Sequence, residues 1–150
     1  MQTVSQNRKA RHDYAIGEVF EAGLVLKGTE VKSLRTGSAN IQDGYVAIHD
    51  GEVFMYNVHI PPFAQGNRNN HEPLRTRKLL LKAAEIDKLQ SRVTERGLTL
   101  VPLKLYFNDK GKIKVEIAVA KGRKKYDKRD EIDRESSRKE LREAKARHRK

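Results

Sequence analysis

The sequence predicts a mainly β protein: a small antiparallel barrel with flanking helices, followed by a basic arm that has no core of its own. Three observations carry this. Apolar residues recur at strand spacing in several short runs, two of which flank a turn dipeptide. Glycines break those runs where a small barrel has to bend. From Asp130 to Lys150 there is almost nothing to bury, since Ile132 and Leu141 are the only large aliphatic side chains. At 150 residues the chain has room for one domain and an appendage, read as residues 1–120 and 121–150.

The polar start, Met1 to His12, is expected to be flexible, or ordered only where it meets the body or a partner. Tyr14 to Leu26 reads as a strand whose Ile16, Phe20, Leu24 and Leu26 are apolar and whose Gly17 and Gly23 mark bends. A helix is expected from about Thr29 to Arg35, with Thr29 as N-cap, Val31 and Leu34 on one face and Gly37 as a left-handed stop. Ala39 to Gln42 is a candidate short strand. Tyr45–His49 and Glu52–Tyr56 flank Asp50-Gly51, which favours a type I′ hairpin because both turn positions need positive φ.

Val58 to Arg75 holds Pro61-Pro62, Gly66 and Pro73 and reads as a long loop. Arg77 to Leu81, with its run Leu79-Leu80-Leu81, reads as a buried strand. A helix should span about Ala83 to Glu95, with Ile86, Leu89 and Val93 on one face and Gly97 as its stop. Leu98 to Phe107 alternates, with Val101, Leu103, Leu105 and Phe107 assigned to one side and Lys104 and Tyr106 to the other. A turn at Asn108-Asp109-Lys110-Gly111 leads to a last strand in which Ile113, Val115, Ile117 and Val119 alternate with Lys112, Lys114 and Glu116. About six short, bent strands and two or three helices fit a barrel of the oligonucleotide-binding (OB) type.

The arm carries acid-before-base pairs Asp130–Arg134, Glu135–Lys139 and Glu143–Arg147, each worth about 0.2–0.5 kcal/mol in an isolated helix. No apolar face accompanies them. The arm is therefore expected to be disordered alone and helical when bound.

Composition limits the function. Thirty-two Lys and Arg against 20 Asp and Glu give a net charge of +12, which favours a nucleic acid or an anionic membrane surface. The arm lacks the apolar face that membrane binding needs. No cysteine is present, so thiol chemistry and Cys-based zinc sites are excluded. The first residues carry no apolar signal region, and a soluble cytoplasmic protein is expected. The five histidines show no metal-ligand spacing, although His59 and His71 sit at two ends of a loop and could meet. There is no phosphate-cradling glycine loop, and Glu18, Glu21 and Glu30 read as surface carboxylates. No enzyme, no cofactor and no metal are expected.

The basic clusters point to RNA or single-stranded DNA. Lys112 and Lys114 share a strand face, with Lys104 across the hairpin. Arg8, Lys9, Arg11 and His12 cluster near the start. Lys121-Gly122-Arg123-Lys124-Lys125-Tyr126-Asp127-Lys128-Arg129 packs six cations and one ring into nine residues, charge for phosphates and a flat face for a base. A generic single-strand-binding or ribosomal protein and an RNA-processing hydrolase are the alternatives.

Several stretches closely resemble the SsrA-binding proteins, also called small protein B. They are Asn7-Arg8-Lys9-Ala10-Arg11-His12-Asp13-Tyr14, Phe20-Glu21-Ala22-Gly23-Leu24, Gly28-Thr29-Glu30-Val31-Lys32-Ser33-Leu34-Arg35, Ala39-Asn40-Ile41, Arg75 to Leu81 and Ala118 to Arg129. The resemblance implies an OB-like barrel that binds the tRNA-like domain of transfer-messenger RNA. It implies escort, with elongation factor Tu and GTP, to 70S ribosomes stalled on truncated messages. The arm would fill the 16S rRNA decoding centre and the vacant mRNA channel, and the nascent chain would be tagged. By motif, Glu21, Leu80 and Lys114 match positions linked to binding the RNA. Leu80 would act by contact or by supporting the surface. Tyr126 falls where the family carries an aromatic or histidine ring that stacks in the decoding centre. Beyond Arg129 the tail matches in length and charge style rather than residue by residue.

Overall fold

A computed structural model describes residues 1–94 and 97–122. The described residues form seven antiparallel strands and three α-helices. In chain order these are β1 (Gln2–Gln6), α1 (Arg8–Asp13), β2 (Tyr14–Leu24), α2 (Gly28–Arg35), β3 (Tyr45–His49), β4 (Glu52–Tyr56), β5 (Arg77–Leu80), α3 (Ala83–Val93), β6 (Leu98–Phe107) and β7 (Ile113–Gly122). The sheet order is β1-β6-β3-β4-β5-β2-β7, and β7 pairs back onto β6. Six strands therefore close into a barrel, with β1 added beside β6. Closure leaves few unpaired strand edges, which is how a small sheet avoids edge-to-edge association.

The β3–β4 hairpin turns at Asp50 and Gly51, whose φ values are 50° and 77°. This is the primed turn that matches strand twist. Gly44 meets a different demand: a Cβ there would lie 2.6 Å from Val58 Cγ2, so only a bare backbone fits. The barrel interior holds Phe20, Val46, Val53, Met55, Leu79, Leu100, Leu105, Val115 and Ile117, joined by Leu34 of α2 and Leu89 of α3. Ile86 and Val93 pack against the same core, as the spacing along α3 predicts.

The first twelve residues are ordered where they meet the body, the second of the two expected forms, while several other expectations need correction. β1 pairs with the end of β6, and Asn7 caps α1, accepting from the Ala10 N–H at 3.0 Å while donating to the Pro102 carbonyl at 3.0 Å. Lys27, not Thr29, is the N-cap of α2, and the Glu30 carboxylate reaches back to the Lys27 N–H at 2.7 Å. Ala39 to Gln42 makes only a single bridge, Asn40 to His59. The alternation along β6 is not continuous. The register slips between Pro102 and Lys104, so Leu105 and Phe107 enter the barrel while Val101 and Leu103 face the other way. Val101 and Leu103 form a second small core with Ala10 of α1 and Ala118 and Ala120 of β7. Proline has no N–H for the ladder, which explains why the bulge sits there.

Glu30 is not a surface carboxylate. It is fully buried between Arg75 and Arg77, and Arg77 is fully buried too. Arg75 Nη2 donates to Glu30 at 2.6 Å and Arg77 Nε at 2.8 Å, while Arg77 Nη1 donates to the Val58 carbonyl at 2.5 Å. Burial alone would raise the Glu30 pKa. The hydrogen bonds from Arg75, the Lys27 backbone and Arg77 outweigh it and hold the carboxyl at about 2. This network ties α2 to β5 and the long loop before it.

Candidate nucleic-acid interface

The outer face of β5, β2, β7 and β6 collects the residues of interest by strand register. Gly23 pairs with Leu80 on one side and with Lys114 on the other, and Lys114 pairs with Tyr106. One row across four strands is thus Leu80, Gly23, Lys114, Tyr106, spanning about 14 Å at the usual strand spacing. The next row is Glu21, Glu116, Lys104. The structure therefore brings Glu21, Leu80 and Lys114 onto one patch, although they lie far apart in the chain.

Leu80 corrects the reading of a buried run. Leu79 is 2% exposed and lines the core, whereas Leu80 is 51% exposed and stands on the outer face. Period-two alternation separates the neighbours; the triple-leucine run conceals it. The Leu80 and Lys114 side chains close over Gly23 between them: a Cβ there would stand 3.6 Å from Leu80 Cβ and 3.8 Å from Lys114 Nζ. The patch offers an apolar side chain, a cation and an acceptor side by side.

Tyr106 is 5% exposed, and its hydroxyl donates to Glu21 Oε2. Burial first, and the Glu21 hydrogen bond second, push its pKa well above the ordinary phenol value, so it remains a donor at any working pH. Lys104 Nζ lies 5.3 Å from the Tyr106 ring centroid, a cation–π contact. Sequence alternation assigns Tyr106 to the outer side; its link to Glu21 crosses three strands and has no local signal.

The other named residues are placed as follows. Lys112 is exposed in the turn just before β7, its N–H donating to Asn108 Oδ1 at 2.9 Å. Arg8, Lys9, Arg11 and His12 are all exposed on α1, which covers Ala118 and Ala120 farther along β7. That footprint begins about 13–20 Å from Lys114 at strand rise. The basic helix and the Glu21 patch are thus two parts of one side, not one cluster. Lys121 and Gly122 are the last residues of β7, paired with Ala15 and Tyr14. Arg123, Lys124, Lys125, Tyr126, Asp127, Lys128 and Arg129, and the rest of the arm, lie outside the described residues.

His59 and His71 do not converge. His59 is exposed, while His71 is buried, its Nε2 donating to the Ile60 carbonyl at 2.8 Å and its Nδ1 meeting the Thr29 hydroxyl at 2.9 Å. Among the described residues no three His, Asp or Glu side chains converge on a metal position, and no helix is long and apolar enough to cross a membrane.

A closed antiparallel barrel with a mixed cationic, apolar and acceptor face belongs to the class of small OB-like folds. The comparisons narrow it. Residues 4–147 match the family model described as SmpB protein. The SsrA-binding protein of Symbiobacterium thermophilum is 57% identical over 94% of this chain and 89% of its own length. That of Geobacillus thermodenitrificans is 56% identical over 94% and 90%. A solved chain reported under "tmRNA-SmpB: a journey to the center of the bacterial ribosome" aligns with TM-score 0.67 and 49% identity, covering 79% of this chain and 83% of its own. The chain belongs to the SmpB, or SsrA-binding protein, family.

Proposed function

We propose that this chain binds the tRNA-like domain of transfer-messenger RNA and carries it, with elongation factor Tu and GTP bound through the RNA, to stalled ribosomes in the cytoplasm. It acts by binding, not by catalysis. The observation that carries the reading is that Glu21, Leu80 and Lys114, drawn from three separate strands, meet on one outer face in a chain matched to this family from residue 4 to residue 147. Lys114 and Lys112 supply charge for phosphates, Leu80 an apolar contact and Glu21 an acceptor. Arg8, Lys9, Arg11 and His12 extend the cationic footing along the same side.

The division of labour follows the chain. Residues 1–120 grip the RNA. Residues 121–150, led by Lys121 to Arg129, enter the vacant decoding site and mRNA channel, where Tyr126 stacks. A message and a cationic arm compete for one channel, so arm entry requires that the channel be empty. Truncation after Lys121 tests the partition: RNA affinity should stay nearly intact and peptide tagging should be abolished. Loss of RNA binding in that variant would overturn it. Tagging that is equally efficient on ribosomes with progressively longer mRNA beyond the A site would overturn the channel account.

A further inference from the structure

We propose that Tyr106 is a positioning residue that aims the Glu21 carboxylate at the donor edge of an unpaired guanine in the bound RNA. The proposal rests on the reading of the outer face as the RNA-binding surface, and it says how one group there reads a base. The charge balance raises the question. Glu21 is an exposed carboxylate on a face that carries Lys104 and Lys114, and it would repel any phosphate brought to those lysines. Its direct cross-strand partner is Glu116, another carboxylate, and like charges placed directly opposite are destabilising. Left to itself, Glu21 would swing away into solvent. The Tyr106 hydroxyl prevents that by donating to Oε2 from a ring that is nearly buried.

That ring is held in turn. It lies on β6 opposite Lys114 on one side and Thr3 of β1 on the other, with the Lys104 ammonium over its face. A phenol fixed in this way costs little to keep in place when RNA arrives, so the carboxylate is preorganised. Among the described residues Tyr106 is the only group that donates a hydrogen bond to Glu21. Glu21 is exposed, so its second carboxylate oxygen remains open to a ligand. An ionised carboxylate can only accept. The nucleobase edge with two adjacent donors is the N1–H and N2–H pair of guanine, which a carboxylate takes as a fork. In a duplex that edge is already used, so the guanine must be unpaired. Leu80 and Lys114 close over the bare backbone at Gly23, so the base meets their side chains and not the strand beneath.

The test uses the full chain and a transcript of the tRNA-like domain, with equilibrium binding as readout. Tyr106→Phe should weaken binding about tenfold, the scale of one hydrogen bond to a charged group. Glu21→Gln should weaken it at least as much, and the double variant should be no weaker than Glu21→Gln alone, because the phenol acts through the carboxylate. The salt slope should not change in any of the three, since neither group holds a phosphate. Replacing unpaired guanines by inosine, which lacks the N2 amino group, should weaken the wild-type chain and erase the extra loss in Tyr106→Phe. The wild-type half of this arm needs no variant that could misfold.

Wild-type affinity in Tyr106→Phe, losses that multiply in the double variant, or unchanged binding of the inosine RNA would each overturn the proposal. The underlying reading fails differently: Lys114→Ala would then bind as well as wild type, and the chain would not prefer the tRNA-like RNA to a linear RNA of equal length.

Discussion

Two glutamates nine residues apart, Glu21 and Glu30, show how this barrel separates a closed internal network from an open outer face. Glu30 is fully buried, and every demand on it is met inside the protein: Arg75, Arg77 and the Lys27 N–H surround it. Glu21 is exposed and has one internal donor, Tyr106. A buried charge must be fully paired or it costs several kcal/mol, so the α2–β5 junction has no capacity left for a ligand. The outer face keeps such capacity, at some electrostatic cost against Glu116. The difference between the two regions is one of satisfied and unsatisfied hydrogen-bonding groups, and substitutions can read it.

The largest effect is expected at the junction. Glu30→Gln leaves Arg77 buried without its counter-charge, which should lower stability by about 3–5 kcal/mol in denaturant unfolding. That is a large fraction of what a small domain has. The same network predicts acid sensitivity. The Glu30 carboxyl is held at about 2 against an ordinary 4.5. A depressed folded-state value contributes stability that is fully present above about 4.5 and is lost as pH falls toward about 2, about 3 kcal/mol in all. Unfolding midpoints measured from pH 6 down to pH 2 should show this loss, and Glu30→Gln should flatten it. If the wild-type profile is already flat there, the contrast between the two carboxylates disappears.

At the outer face the effects should move from stability to binding. Lys114→Ala should leave the unfolding midpoint almost unchanged and weaken RNA binding. It should also reduce the slope of log affinity against log salt by roughly 0.7–0.9, one phosphate's worth. An unchanged slope would remove Lys114 from the phosphate contacts and would leave Lys112 or the α1 cations to carry them.

Most of the barrel was legible because its signals are local. The Asp50-Gly51 turn, the apolar spacing of α3 and the alternation of β7 each sit within one short window. What escaped depends on contacts distant in the chain. β1 and α1 are polar segments with little periodicity; they are ordered by Asn7, which bonds to Pro102 and Leu103 across the fold. The bulge at Pro102 splits a run that looks uniform, sending Val101 and Leu103 under α1 and Leu105 and Phe107 inward. Arg77 reads as an ordinary strand-end cation until α2 delivers Glu30 to it. The candidate site was half legible: family resemblance pointed to Glu21, Leu80 and Lys114, while Tyr106 joins them only through register across three strands.

The adjacent leucines of β5 give the finest version of the comparison. Leu79 and Leu80 are chemically identical neighbours, and one is 2% exposed while the other is 51% exposed. Leu79→Ala removes buried methyl groups from the barrel centre and should cost about 2–5 kcal/mol of stability. Leu80→Ala removes surface the folded chain leaves in water, so the unfolding midpoint should move by no more than about 0.5 kcal/mol. RNA affinity should nonetheless fall by about 1 kcal/mol if the side chain is covered by a base or ribose, from the apolar area that binding would otherwise bury. The salt slope should be unaffected, since no phosphate contact is lost. A Leu80→Ala variant that unfolds early would mean that Leu80 supports the surface from within. One that keeps both its stability and its affinity would move the RNA off this part of β5.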